Sequence, residues 1–372
     1  MKKLIALMMA VCLSLAVFAG CGTQAAPEDS AAPSAAPQEA TAPESPAQDA
    51  PEETGSTTVG EKVPRVSEQF GGVVSAYKPS LFEGLTAKKN YKIAALHYGL
   101  ANEAPVILSE AQAKRAKELG VTIDMFDSNY DVNTEIDKMQ NIIAGDYDLI
   151  LLSAVDSESS VACVELAKEA NIPVINVHSY LNSPDLVSTV VSDSIQAGED
   201  IMSWAAEKMG GKGNIVVMEG PTGSSGQVLR YQGIMNVLLD YPEIEMLAIQ
   251  TANWSRAEGL DLMQNWIQAF DGINAVISEN DEMALCAIEA LGADKANVFV
   301  TGVDGISDTL DSIKAGQQDM TMYQDTIGQG KLSVEMAVAY LNGDTIEKYY
   351  WIPYEIVTAE NVQEYMDRIA KG

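Results

Sequence analysis

Residues 148–177 read DLILLSAVDSESSVACVELAKEANIPVINV. Two short apolar runs, 148–153 and 172–177, flank a stretch whose apolar residues at Val161–Ala167 follow a helical spacing. Strand, helix and strand in this order form a βαβ unit, which demands a parallel pair of strands. The unit does not stand alone. Further β-rich runs occur at 91–96, 121–125, 214–218, 245–249, 274–278 and 297–303. Between them lie amphipathic helices: Val132, Ile136, Met139 and Ile143 share one face, as do Ile201, Trp204, Ala205 and Met209. Near-continuous apolar strands alternating with helices predict an α/β protein whose parallel sheets are covered on both faces. Eight strands and more exceed what one twisted open sheet comfortably holds, so two doubly wound sheets are expected.

In such sheets ligands meet the loops beyond the C-terminal strand ends. Tyr98 and Asn102 follow the first strand, Ser153 ends the third, and His178 and Ser179 follow the fourth. The 220–226 loop leads to Gln227 and Arg230, Trp254 follows the 245–249 run, and Asn280 and Asp304 follow the next two. Amides, carboxylates, hydroxyls and aromatics suit a neutral polyol: planar polar groups pair with vicinal hydroxyls, and an aromatic face covers C–H groups. Ser255 and Glu258 form a capping box that starts a helix at Ser255 and sets Trp254 just before it. From capping alone, Trp254 serves equally as a staple or as a cleft residue.

The N-terminus reads as an address. Lys2-Lys3 precede an apolar run from Leu4 to Ala19, and the sequence Phe18-Ala19-Gly20-Cys21 follows the pattern of a bacterial lipobox. Residues 1–20 are read as a lipoprotein signal peptide and Cys21 as the lipidated residue. Too short an apolar run argues against a membrane span. Residues 21–64 hold seven of the chain's 14 prolines and no aromatics. Such a segment buries too little to offset its ordering entropy and is expected to be a disordered tether, with a reach of roughly 35 Å. Phe70, Tyr77 and Phe82 leave residues 65–90 open: an extension of the tether, or a segment packed on the body.

A net charge of −30 repels phosphate backbones and removes nucleic acid from the partners considered. Two histidines exclude His-rich metal chemistry. Asp127–Asn133 has the alternating acids of a calcium loop but lacks its sixth-position Gly and twelfth-position Glu. Gly220–Gly226 lacks the Lys-Ser/Thr ending of a P-loop. Cys163 and Cys286 sit in apolar helical stretches and read as small buried hydrophobes. No metal, cofactor or catalytic constellation emerges, and the chain is not read as an enzyme.

Four segments resemble the ribose-binding type of periplasmic binding protein, within the type-1 sugar-binding superfamily. They are Asn280-Asp281-Glu282-Met283-Ala284-Leu285 with Ala287, Thr301-Gly302-Val303-Asp304-Gly305, Ala170-Asn171-Ile172-Pro173-Val174-Ile175, and Ile356–Val362. The likeness runs from about Tyr91 to the end. It implies two doubly wound lobes joined by three hinge crossings, one of 91–191 plus 325–347 and the other of 192–324 plus 348–372. It further implies that the lobes close over a ligand. Asn102, Trp254, Asn280, Asp304 and Gln324 fall where the family binds its sugar, the tryptophan in the stacking role. Departures cluster in the first lobe. Ala104 and Pro105 stand in place of two stacking Phe residues, His178-Ser179 in place of an Asp-Arg pair, and Ser153 in place of an Asn. Gln227-Val228 replaces a segment with a second ligand Arg, with Arg230 two residues on. These losses argue against ribose itself. The resemblance implies a lipid-anchored, monomeric solute-binding protein on the extracytoplasmic face of the cell membrane, delivering a monosaccharide or related polyol to an ABC permease. A ligand-presenting subunit of a membrane sensor or chemoreceptor, and a binder of a nucleoside or small furanose signal, are the alternatives.

Overall fold

A computed structural model describes residues 61–371. The leader, Cys21 and the tether through residue 60 lie outside the described residues. Among the described residues thirteen strands fall into two sheets.

The first sheet has seven strands. In chain order they are β1 (Val73–Val74), β2 (Lys92–His97), β3 (Thr122–Asp127), β4 (Leu149–Leu152), β5 (Val174–His178), β6 (Ser188–Val191) and, far along the chain, β12 (Tyr349–Trp351). They lie in the order β1-β12-β6-β5-β4-β2-β3, every pair parallel. The second sheet takes β7 (Lys212–Glu219), β8 (Glu243–Thr251), β9 (Ile273–Ser278), β10 (Phe299–Asp304), β11 (Met320–Tyr323) and β13 (Glu355–Thr358). Its order is β13-β11-β10-β9-β7-β8, and only β13 runs antiparallel, against β11.

Burial explains the strand sequences. All four residues of β4 (LILL) are buried, as are five of six in β2, because helices cover both faces. On one face of the first sheet, α2 (Glu103–Leu119) and α10 (Thr326–Asn342) enclose Ile93, Leu151, Val177, Leu332 and Met336. On the other, α3 (Val132–Ile143) and α4 (Val161–Glu169) enclose Leu96, Leu152, Met139 and Cys163. The second sheet repeats this plan. There α5 (Ser194–Lys208) and α6 (Ser225–Leu238) cover one face, α7 (Arg256–Ala269) and α8 (Asp281–Leu291) the other. Cys163 and Cys286 are buried thiols, and burial pushes both up to about 12.

In each sheet the strand order reverses beside the first strand, between β2 and β4 and again between β7 and β9. A crevice opens at such a reversal, beyond the C-terminal strand ends. The chain passes between sheets three times: after β6, after β11, and at residues 352–354 between β12 and β13. The last crossing comes later than the sequence suggested, because Tyr349–Trp351 still pairs with Thr189–Val191 of the first sheet.

Residues 62–90 form a strap on the body, so the end of the expected tether, at Val63, is packed rather than free, and the open segment 65–90 packs with it. The Val63 N–H donates to Asn236 Oδ1 and the Asn236 amide donates back to the Val63 carbonyl, both at 2.8 Å. Arg65 pairs with Glu199 at 2.7 Å, and Ser67 N donates to Asp193 Oδ2 at 2.7 Å. Past the short helix α1 (Val66–Phe70), Trp351 Nε1 donates to the Gly71 carbonyl at 2.6 Å. Tyr77 then donates to Glu335 Oε1 on α10 at 2.8 Å. The strap therefore starts on helices of the second sheet and ends on the first.

Two outcomes are expected. Trp351→Ala empties a site that is 2% exposed and should cost about 3–5 kcal/mol, read as a fall in the urea midpoint. A loss below about 1 kcal/mol would show that Trp351 does not tie strap to sheet. His97, at the end of β2, is buried, and burial lowers its imidazole to about 4. A neutral buried histidine contributes stability that is complete above its unfolded value of about 6.5 and is lost as pH falls towards about 4. Urea midpoints of His97→Leu should thus fall less steeply than those of the natural protein between pH 7 and 4; parallel curves would contradict the sign.

Candidate ligand-binding site

The two reversal points face each other across one cavity of ≈ 80 Å³, room for roughly three water molecules at liquid density. The lips meet. Asn102 Nδ2 donates to the Trp254 carbonyl at 3.2 Å, and Ser157 donates through its N–H and its hydroxyl to the Gly223 carbonyl, each at 2.9 Å. Ser179 and Ser225 hydroxyls lie 3.2 Å apart, and Ser307 N donates to Glu103 Oε1 at 3.0 Å.

Of the eleven side chains singled out from the sequence, nine line this cavity: Asn102, Trp254, Asn280, Asp304 and Gln324, then Tyr98, His178, Ser179 and Arg230. Two do not. Ser153 is buried at the end of β4, and the next residues, Ala154 and Val155, line the wall instead. Gln227 is occupied in its own loop: its Oε1 accepts from Gly223 N at 3.2 Å and its Nε2 donates to Glu219 at 2.8 Å.

The second lobe's wall is organised around Arg230, which projects from α6 and is 6% exposed. Its Nη1 donates to the Glu279 carbonyl and its Nη2 to the Tyr354 hydroxyl at 3.0 Å. The guanidinium lies 5.6 Å from the centre of the Trp254 ring, a cation–π contact, and 3.9 Å from Asp304. Burial lifts the Asp304 carboxyl well above its usual range, while Arg230 pulls the other way. A hydroxyl donor beside Asp304 would favour its anion. Asp304 itself takes φ 129°, a costly conformation for a residue with a Cβ. Buried Asp281 holds that turn, accepting from Gly305 N at 2.7 Å, Ile306 N at 3.3 Å and Thr321 Oγ1 at 2.8 Å. Asn280 caps α8 through its Oδ1, on Met283 N at 3.0 Å, which leaves its amide protons for the cavity.

The capping of α7 is half of what the sequence suggested. Ser255 Oγ accepts from Glu258 N at 3.3 Å, but the Glu258 carboxylate receives Asn253 Nδ2 at 2.7 Å instead of reaching back to Ser255. Trp254 both packs beside Arg230 and lines the cavity.

In the first lobe's wall, Tyr98 and His178 lie with rings nearly parallel, and the Tyr98 hydroxyl is 3.3 Å from His178 Nε2. His178 Nδ1 lies 2.8 Å from Gln329 Oε1, and Gln329 Nε2 donates to Ser192 at 2.9 Å. With the amide so turned, the His178 proton sits on Nδ1, and Nε2 accepts from Tyr98. Burial lowers the imidazole to about 4, so it is neutral at physiological pH. Ala104 and Pro105 line the cavity as small apolar groups. Tyr130 and Ser194 also line it, and Tyr354 holds Arg230; none of the three was singled out from the sequence. Tyr130 lay inside the segment weighed as a calcium loop. Among the described residues no group of three or more acids, histidines or cysteines could hold a metal. Asp127 and Asp131 spend their carboxylates on local N–H groups of Asn129 and Thr134.

A xylitol-binding protein of Mycolicibacterium smegmatis is 36% identical over 68% of this chain and 73% of its own length. A putative rhizopine-binding protein of Rhizobium meliloti is 33% identical over 70% of this chain and 88% of its own. The crystal structure of an ABC transporter solute-binding protein from Bacillus halodurans with bound myo-inositol superposes with a TM-score of 0.72 at 32% identity, covering 77% of this chain and 99% of that one. Residues 103–345 match the periplasmic binding protein domain family, and the chain belongs to that family of binding proteins rather than catalysts.

Proposed function

We propose that this protein is the solute-binding component of an ABC importer and captures one monosaccharide or related polyol between its lobes. The carrying observation is the shared cavity, where Asn102 and Tyr98 from one lobe meet Asn280, Asp304, Arg230 and Trp254 from the other. The first lobe comprises the strands of the first sheet with α10, the second those of the other sheet, and the three crossings act as the hinge. Asp304 and Gln324 orient ligand hydroxyls, Trp254 covers a C–H face, and closure strengthens each hydrogen bond by excluding water. Relatives named for xylitol, rhizopine and inositol binding support a neutral polyhydroxylated ligand. The first lobe's wall, with Ala104 and Pro105 facing the cavity, supports a ligand other than ribose.

In this reading Cys21 carries the lipid anchor, and the segment up to the strap spaces the lobes from the membrane. Among the described residues no helix is long and apolar enough to cross it. Changing Cys21→Ser should move the protein from the membrane fraction to the soluble extracytoplasmic fraction; retention on the membrane would refute anchoring at that residue.

The site is tested by calorimetry against a panel of cyclitols, pyranoses and alditols. Trp254→Ala and Asp304→Ala should each weaken the best-binding compound about tenfold or more, about 1.4 kcal/mol. Unchanged affinity in either would remove that residue from the site.

A further inference from the structure

The two walls of the cavity share a turn that their sequences repeat. Residues 127–143 read DSNYDVNTEIDKMQNII and residues 251–267 read TANWSRAEGLDLMQNWI. Asn129-Tyr130 thus corresponds to Asn253-Trp254, and Met139-Gln140-Asn141 to Met263-Gln264-Asn265. The backbone agrees in detail. Asn129 and Tyr130 take φ 52° and 57°, Asn253 and Trp254 φ 53° and 57°. Ser128 N donates to His97 O at 2.9 Å, as Ala252 N does to Glu219 O. Asp131 N closes on Ser128 O at 3.0 Å, as Ser255 N does on Ala252 O at 2.8 Å.

Asparagine tolerates the left-handed region, but a bulky aromatic rarely adopts it, and two such residues in succession cost on the order of 1–3 kcal/mol each. Both turns carry that cost to press an aromatic ring onto a glycine at a neighbouring strand end. A Cβ on Gly99 would lie 2.2 Å from the Tyr130 ring, and one on Gly220 would lie 1.9 Å from the Trp254 ring. Both rings line the cavity. Tyr130 adds a polar group that Trp254 does not offer there: its hydroxyl is buried, the Asn102 N–H faces its oxygen, and no acceptor among the described residues takes its proton. A buried hydroxyl without an acceptor is costly unless something completes it.

We propose that Tyr130 is the first lobe's counterpart of Trp254: a second aromatic wall of the site, whose hydroxyl bonds a ligand oxygen. The inference rests on the polyol reading and narrows it. Aromatic surface supplied from both lobes fits a closed ring, which offers C–H groups above and below and hydroxyls around its rim. A cyclitol or pyranose meets that demand; an open-chain alditol, whose C–H and O–H groups alternate around a flexible chain, does not. Tyr130 takes over covering the ligand where Ala104 and Pro105 provide no aromatic ring.

The test uses the full-length protein titrated calorimetrically with myo-inositol, D-allose and xylitol, beside Tyr130→Phe, Tyr130→Leu and Trp254→Leu. The expected result is a preference for a ring compound over xylitol. Tyr130→Phe should weaken the best ring about fivefold or more, and Tyr130→Leu about tenfold or more. Without ligand, Tyr130→Phe should melt close to the natural protein's temperature, because the hydroxyl proton it removes has no acceptor. A lower ligand-free melting temperature would make that hydroxyl structural and overturn the proposal, as would undiminished ring affinity in both Tyr130 variants while Trp254→Leu binds weakly. Tightest binding of xylitol would overturn the ring class. If the folded natural protein binds none of the three, the polyol reading of the site fails first, and this proposal falls with it.

Discussion

A guanidinium that cannot lose its charge is buried at the centre of this molecule. Arg230 must be satisfied where it stands, and doing so draws distant parts of the chain together. Its partners come from the end of β9, from the 352–354 crossing and from the start of α7, with Asp304 at the end of β10 close by. Gln324, at the crossing after β11, lies at the outer limit of hydrogen-bond reach, 3.5 Å away. Two of the three passages between the lobes are therefore within reach of the same cation that lies against Trp254. Cavity wall and inter-lobe crossings are one electrostatic unit in the second lobe.

The first lobe links hinge and cavity by a neutral route. Ser192 lies just past β6, where the chain first crosses, and Gln329 lies in the first turn of α10, where it crosses back. Gln329 joins Ser192 to His178, and His178 joins Tyr98 at the cavity. Each member is held by the next, so the polarity that Tyr98 shows a ligand is set by groups some distance from it. The two lobes share an architecture but stiffen their walls differently, one around a charge and one along a relay of neutral groups.

Much of this was legible in the sequence, for identifiable reasons. Strands buried on both faces, such as β4 and β5, announce themselves as unbroken apolar runs. Those missed carry weaker signals: β6 begins Ser-Thr, β11 reads MTMY, β13 is the short edge strand EIVT, and β1 and β12 are two and three residues long. Residues directly after strands reached the cavity because parallel sheets send all their C-terminal ends to one edge. Ser153 and Gln227 show where that rule stops. Position relative to a strand places a residue near the cleft, but which way its side chain turns depends on local partners, and Gln227 found two within its own loop. Tyr130 was hidden for the opposite reason. Its acidic neighbours drew attention to ion binding, while the mark that the turn does leave, Asn129-Tyr130 repeated as Asn253-Trp254, shows only when the two segments are set side by side.

The strap gives the order of events along the chain a structural meaning. β12 would end the first sheet as an open edge, with unpaired N–H and C=O groups beside Tyr349 and Trp351, the kind of surface on which other chains aggregate. β1 covers that edge although it is only Val73–Val74 long. Synthesis runs from the N-terminus, so the cover exists before the strand it protects has been made. The most vulnerable margin of the sheet is completed almost last and finds its partner already waiting.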